Sequence, residues 1–455
     1  MLRTLGDRAS RANASGVRAS RRVRVMVRPT WVPLIILVAA CSGLLDVSNP
    51  TIVRDSDVAN ANGANARRLN VVSILNRAAP DLMQDVARIT DEWIEDDPVM
   101  FGRKDYLDRR DSQGYEQFMA ANDQDQHLGG WDQIYWQTSL TIPSVRAYTP
   151  DSLKGDYLGQ LYAIRGYAAL QIAEDICPGF PLNDVTADNQ PLFGPPLTTD
   201  SAMTIASTQL DSAVKYAHDS VRFVTLAKVV KGRVLLDQGK YAEAAAMVAS
   251  VGTADTYQTD GPYNSMGDNM APGTWNQGGY NYAAGDSEGT NGLPFVSAHD
   301  PRVPTVLGGT RATIPTDTLY KPSQYTSSSP MVLASGIEAR LIEAEAALHV
   351  EDPSWLTILN TLRESSGMSD LFDPGTTPAR IDLLYHERAF WLYGTGRRLG
   401  DLRRLIRNYG RDPETVFPTG PFILGGTYGT ATAIPFILKN QQHSNPRITS
   451  GCTTR

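Results

Sequence analysis

The 455-residue chain is poor in the side chains that build metal and redox centres, with three cysteines and six histidines. No Cys-x-x-Cys pair and no phosphate loop occurs. His386-Glu387 opens like a zinc-protease helix, but Phe390 stands where the second histidine would complete the ligand pair. Gly394, Gly396 and Gly400 have the wrong spacing for a dinucleotide loop, and a helical pattern rather than a strand precedes them. Long apolar runs are also missing. The run at 31–40, WVPLIILVAA, falls far short of the roughly 20 residues of a membrane span, and no later segment approaches that length. We therefore expect no cofactor, no metal and no catalytic residue.

Positive charge is scarce outside two regions. Residues 1–40 hold eight arginines against Asp7, a net +7, which leaves −14 on the rest of a chain whose total is −7. A body this acidic, with no basic stripe, excludes the phosphate neutralisation that nucleic-acid binding needs. The basic start, the short apolar core and the small residues Val38-Ala39-Ala40 before Cys41 form an export signal ending in a lipobox. Arg21-Arg22 also allows a twin-arginine route, and Met26 offers a second start. Cys41 is the expected lipidation site, and lipid there would give stable anchoring if two or more acyl chains are attached. Residues 41–65 would be the tether. The remaining cysteines, Cys177 and Cys452, form a disulfide or stay as two free thiols. Export favours the disulfide.

Helical periodicity dominates the chain beyond the tether. Residues 66–95 give two amphipathic runs divided by Pro80. Residues 130–175, 202–250, 333–365 and 380–409 give four helix pairs, with Gly239-x-Tyr241-x-x-Ala244 at one inter-helix turn. Small residues at Ala227, Gly232, Ala242, Ala245 and Ala246 allow close approach, the logic of a tetratricopeptide unit. The fold class is mostly α: a tetratricopeptide-like scaffold over 66–251 and 331–411, carrying a loop-rich subdomain at 252–330 and an irregular tail at 412–455.

The densest stretch is 380–410. Ile381, Leu384, Tyr385, Ala389, Leu392 and Tyr393 make one apolar helix face. Gly394 and Gly396 end it, and Leu399, Leu402, Leu405 and Ile406 line a second helix. Asp401 lies four residues after Arg397 and three before Arg404, spacing that lets both arginines hold it. The run Glu387-Arg388, then Gly394-x-Gly396, Arg397-Arg398 and Gly400-Asp401-Leu402-Arg403-Arg404 resembles the C-terminal signature of the SusD/RagB family. Trp391 and Thr395 stand where that family usually carries acids. The resemblance extends to an Asn-Pro element after the lipobox and to a long helix ending in Cys-Pro-Gly-Phe-Pro-Leu. It implies a tetratricopeptide-like fold and a surface lipoprotein of the outer membrane. The implied partner is a SusC-like TonB-dependent transporter, and the implied role is nutrient uptake without bond chemistry.

The 252–330 block lacks helical period and is rich in Gly, Asn, Thr, Ser and Tyr. Long irregular segments in compact proteins usually carry function. Trp275, Tyr280 and Tyr282 are its candidate ligand residues for an oligosaccharide or peptide, with packing in a small loop core as the alternative role. Asp286, Glu288 and Asn291 are oxygen ligands at loosely calcium-like spacing, without the full EF-hand pattern. Glu343 and Glu345 suggest an acid/base pair or, more simply, a structural face. The competing functions are an exported glycan hydrolase, whose two acids need not be close in sequence, and a scaffold for envelope assembly.

Overall fold

The structure, a computed structural model, describes residues 58–95, 106–121, 129–186, 188–260, 282–311, 314–324, 329–438 and 445–452. The export segment and Cys41 lie outside them. The architecture is mostly α, built from antiparallel helix pairs.

Helix α1 spans Ala61–Ile89, and the Asn60 side chain accepts from the Gly63 amide at its start. It begins inside the segment expected to be tether. It also corrects a second expectation, because it runs unbroken through Pro80. Val71, Leu75, Ala78, Leu82, Met83 and Val86 are all buried along one face on both sides of the proline. That packing outweighs the roughly 3 kcal/mol that a proline costs inside a helix.

Helix α2 (Ser112–Ala121) precedes the pair α3 (Gly129–Tyr148) and α4 (Asp151–Asp175). Trp131 of α3 is buried with its ring 5.6 Å from that of Tyr167 on α4. Next come α5 (Thr199–Tyr216), α6 (Val221–Asp237) and α7 (Tyr241–Val248). Thr198 and Ser220 cap α5 and α6. A β-carbon on Gly166 would sit 2.6 Å from Leu210 Cγ, so glycine sets the distance between α4 and α5. The last pairs are α8 (Gly336–His349) with α9 (Ser354–Ser365) and α10 (Thr377–Trp391) with α11 (Arg398–Tyr409). A single turn, α12 (Pro413–Val416), comes after them.

Strands among the described residues are short: β1 (Trp93–Glu95), β2 (Asp184–Val185), β3 (Pro191–Leu192), β4 (Thr256–Gln258), β5 (Tyr282–Ala284), β6 (Thr305–Arg311), β7 (Ile314–Pro322) and β8 (Val332–Ser335). They pair antiparallel as β1–β5, β2–β3, β4–β8 and β6–β7. The β1–β5 and β4–β8 pairs stitch the loop block to the helices. Ser335, at the end of β8, caps α8 directly, so strand and helix share one residue's backbone. At the other end Cys177 is bonded to Cys452, their Cα atoms 5.4 Å apart. Nearby, buried Asn445 donates to Asn183 Oδ1 and to the Gly194 carbonyl. No helix among the described residues is long and apolar enough to cross a membrane.

Candidate functional site

The 380–410 stretch is a buried lock. Asp401 accepts from Arg388 through both oxygens at 2.8 Å and from Arg404 Nη2 at 2.8 Å. Arg404 reaches on to Glu345 and Asp237, and Tyr385 and Tyr409 donate to Glu345 as well. Burial alone would raise the Asp401 carboxyl, but Arg388 and Arg404 hold it at about 2. Arg397 does not share in this, contrary to the helical-spacing expectation. It stands at the N-terminus of α11 and turns toward α4, donating to Gln171 Oε1, the Tyr167 hydroxyl and the Leu333 carbonyl. Glu345 is fully buried in this network and Glu343 pairs with Arg340, so the two glutamates have structural partners. Glu387 of the His-Glu pair is clamped by Arg302 and Arg363.

A second set of contacts fastens the loop block. Arg398 makes a two-pronged pair with Asp91, and the Gly394 amide donates to Glu92 Oε1. Burial pushes the Glu92 carboxyl up to about 8 against the opposing pull of Gly394 and Arg398. Arg302 lies over the Phe390 and Trp391 rings while bonded to Asp300 and Glu387. Arg110, fully buried, donates to the carbonyls of Ala431 and Pro418 and to Glu414.

Tyr282 belongs to this fastening. It is buried in β5 with its ring stacked 5.7 Å from Trp93 of β1. Trp275 and Tyr280 lie outside the described residues. The calcium-like residues serve local folding: Asp286 Oδ1 accepts from Ser297, Glu288 from the Tyr428 hydroxyl, and Asn291 from the Thr419 amide. Among the described residues no group of three or more potential metal ligands occurs.

One motif passed over in the sequence is Gly285-Asp286-Ser287-Glu288-Gly289, which has nucleophile-elbow spacing. It comes directly after β5, and Ser287 sits at φ 62. A turn rather than a helix comes next, and the Ser287 amide donates to the Leu293 carbonyl. Among the described residues no hydrogen bond joins a histidine to Ser287, the pairing that activates such a serine.

One open feature among the described residues is a cleft of about 360 Å³ between the N-terminus of α6 and the β4–β8 edge. Arg222, Thr256, Gln258, Thr259, Asp260 and Pro330 line it. Arg222 Nη2 bonds to Asp260 Oδ1 and to the Gln258 carbonyl. Sequence reading missed this pair, since 38 residues separate its members and only the fold joins them. Further along the loop block, the β6–β7 hairpin leaves Leu307 70% exposed, with Val306 and Tyr320 beside it also exposed.

Helix pairs around an Arg–carboxylate lock, with an inserted loop block and a cleft beside it, define a scaffold that presents an irregular face. Solved structures share the fold. The chain superposes with a TM-score of 0.63 on surface glycan-binding protein A from Bacteroides thetaiotaomicron, at 12% identity over 87% of this chain and 100% of the other. A SusD superfamily protein from Bacteroides vulgatus gives 0.60 at 14% identity, covering 86% and 98%. A SusD-like carbohydrate binding protein from the same species gives 0.54 at 13%, covering 76% and 83%. The fold is therefore the SusD-like fold. No protein-family profile matches the sequence, and no curated protein matches it.

Proposed function

We propose that the chain is a SusD-type capture protein. Lipid on Cys41 holds it at the cell-surface side of the outer membrane. Its loop face binds an oligosaccharide or peptide and passes it to a SusC-like TonB-dependent transporter. The observation that carries this reading is the extent of the fold match: the whole length of a surface glycan-binding protein is covered by this chain. Two further features support it. The lipobox at Val38–Cys41 lies at the end of a basic export segment. The carboxylates that suggested acid/base chemistry, Glu343 and Glu345, are both paired with arginines, Glu345 in the buried lock. Capture then works by binding and release, with no bond made or broken.

The test is a gentle detergent pull-down of the lipidated protein from its own outer membrane, with crosslinking and mass spectrometry. A stoichiometric TonB-dependent barrel is the expected companion. Repeated recovery of the protein without a barrel would sink the hand-off. Turnover of a labelled oligosaccharide by the pure protein would instead favour the hydrolase.

A further inference from the structure

The cleft beside α6 has a chemistry that selects its ligand. Tyr257, the strand residue between the lining residues Thr256 and Gln258, is buried with the Arg222 guanidinium 4.6 Å from its ring centroid. Gln160 Nε2 donates to the Tyr257 hydroxyl at 3.0 Å, and Arg68 donates to the same glutamine's oxygen. The Tyr257 side chain, and through it Arg222, is thus tied to α4 and α1. Asp260 is fixed from the other side, because its backbone exchanges two hydrogen bonds with the Asn76 side chain of α1. Thr259 is anchored by Met331 through its amide and its hydroxyl. The ion pair itself stays open: the Arg222 and Asp260 side chains are 37% and 45% exposed.

Among the described residues, Arg222 Nε and Nη1 and Asp260 Oδ2 have no protein partner. A fixed pair therefore offers one charged acceptor beside charged donors. An anion in this cleft would meet Asp260, and a cation would meet Arg222. Pro330 is the one apolar residue type among the lining residues. A hydroxyl donates and accepts at once, so two neighbouring hydroxyls satisfy both members of the pair through charge-assisted hydrogen bonds. The volume falls within the range of about 300–1,000 Å³ typical of small-molecule sites.

We propose that the cleft formed by Arg222, Gln258, Thr259 and Asp260 is a subsite for a neutral sugar, with adjacent hydroxyls held by Asp260 and Arg222. This rests on the reading of the chain as a glycan-capture protein, and gives that reading a place and a charge class. It requires none of the three aromatic residues named from composition.

The test uses the mature chain. An array of neutral and acidic oligosaccharides selects the best ligand of each class, and calorimetry then titrates both against the parent, Asp260→Asn and Arg222→Gln. The neutral ligand should bind better, and each variant should weaken it by about tenfold or more. The melting temperature should barely move, because an exposed ion pair contributes at most about 1 kcal/mol. Thr256→Trp, which fills the cleft mouth from an exposed position and leaves the ion pair intact, should weaken binding equally. Neutral-ligand affinity within about twofold of the parent in all three variants would overturn the subsite and leave glycan capture standing. Preference for acidic ligands would overturn the neutral class. Absence of any glycan binding would overturn the subsite and the capture reading together.

Discussion

Asp401 shows what a buried charge does when it has enough partners. It is within reach of two arginines, and both of them also touch Glu345. Removing one member leaves the others buried without compensation, which typically costs about 3–5 kcal/mol. Asp401→Asn should therefore lower the unfolding free energy by roughly 3 kcal/mol in urea titrations at pH 7. The acid limb arises from the same pair. The folded carboxyl titrates at about 2, below its ordinary 3.8. Its contribution is present above 3.8 and is lost as pH falls through 2. Glu92 behaves in the opposite sense. Burial raises it to about 8 from 4.5, so the folded chain keeps a proton that the unfolded chain releases. Stability then declines as pH rises from about 4.5 to 8. Glu92→Gln copies the neutral form and can still accept from the Gly394 amide. It should match the parent near pH 4.5 and exceed it by a few kcal/mol at pH 8. A stability difference that stays constant across that window would show that Glu92 is not the titrating group.

Helix packing depends on glycines for two distinct reasons, and they separate experimentally. A β-carbon on Gly232 of α6 would lie 2.6 Å from Val248 Cγ1 on α7, so Gly232→Ala should cost about 1–3 kcal/mol by overpacking. Gly239, in the turn between those helices, has φ +72 and nothing within 4 Å of the added carbon. Gly239→Ala should cost only the left-handed backbone penalty of roughly 1–2 kcal/mol. Thermal unfolding of the double variant should show the two losses adding, since they act on different terms. Equal, non-additive losses would mean that the α6–α7 pair shifts as a unit. The same elements show what was legible in the sequence. Helices α3 to α11 could be read from apolar periodicity and small residues, because those signals are local. Continuity through Pro80 was not legible, because the burial that outweighs the proline comes from the rest of the fold. The partners of Asp401 were legible in part: spacing gave Arg404, which does hold it, and Arg397, whose place Arg388 on the preceding helix takes. Tyr282 carried the composition of a ligand surface, yet its ring went into the joint with Trp93. Composition records the residue type and carries no information about which way a ring faces. The Arg222–Asp260 cleft has no sequence signature for the same reason.

At the scale of the whole molecule the chain is closed by a joint that links distant segments. Cys452 returns to Cys177 across 275 residues and pins the tail to the end of α4. There Asp175 accepts from the Ile434 amide, and Ile434 in turn accepts from the Cys177 amide. Arg403 of α11 donates to the carbonyls of Ala173, Glu174 and Ile176 at the same helix end. Burial lowers Arg403 to about 10, which still leaves it charged at neutral pH against the helix C-terminus. The tail is therefore held by backbone pairing and by the Asn445 contacts as well as by sulfur. Reduction should leave the native fold in place while removing a constraint on the unfolded chain. For a loop this long the constraint amounts to about 3–5 kcal/mol, within the range seen for native disulfides. The prediction is that Cys177→Ser with Cys452→Ser folds with unchanged far-ultraviolet circular dichroism, binds the same ligand, and unfolds at a lower temperature. The difference should vanish when the parent is measured in reductant. A parent indifferent to reductant, with two titratable thiols in the native protein, would show that the cysteines are not joined and that hydrogen bonding alone holds the tail.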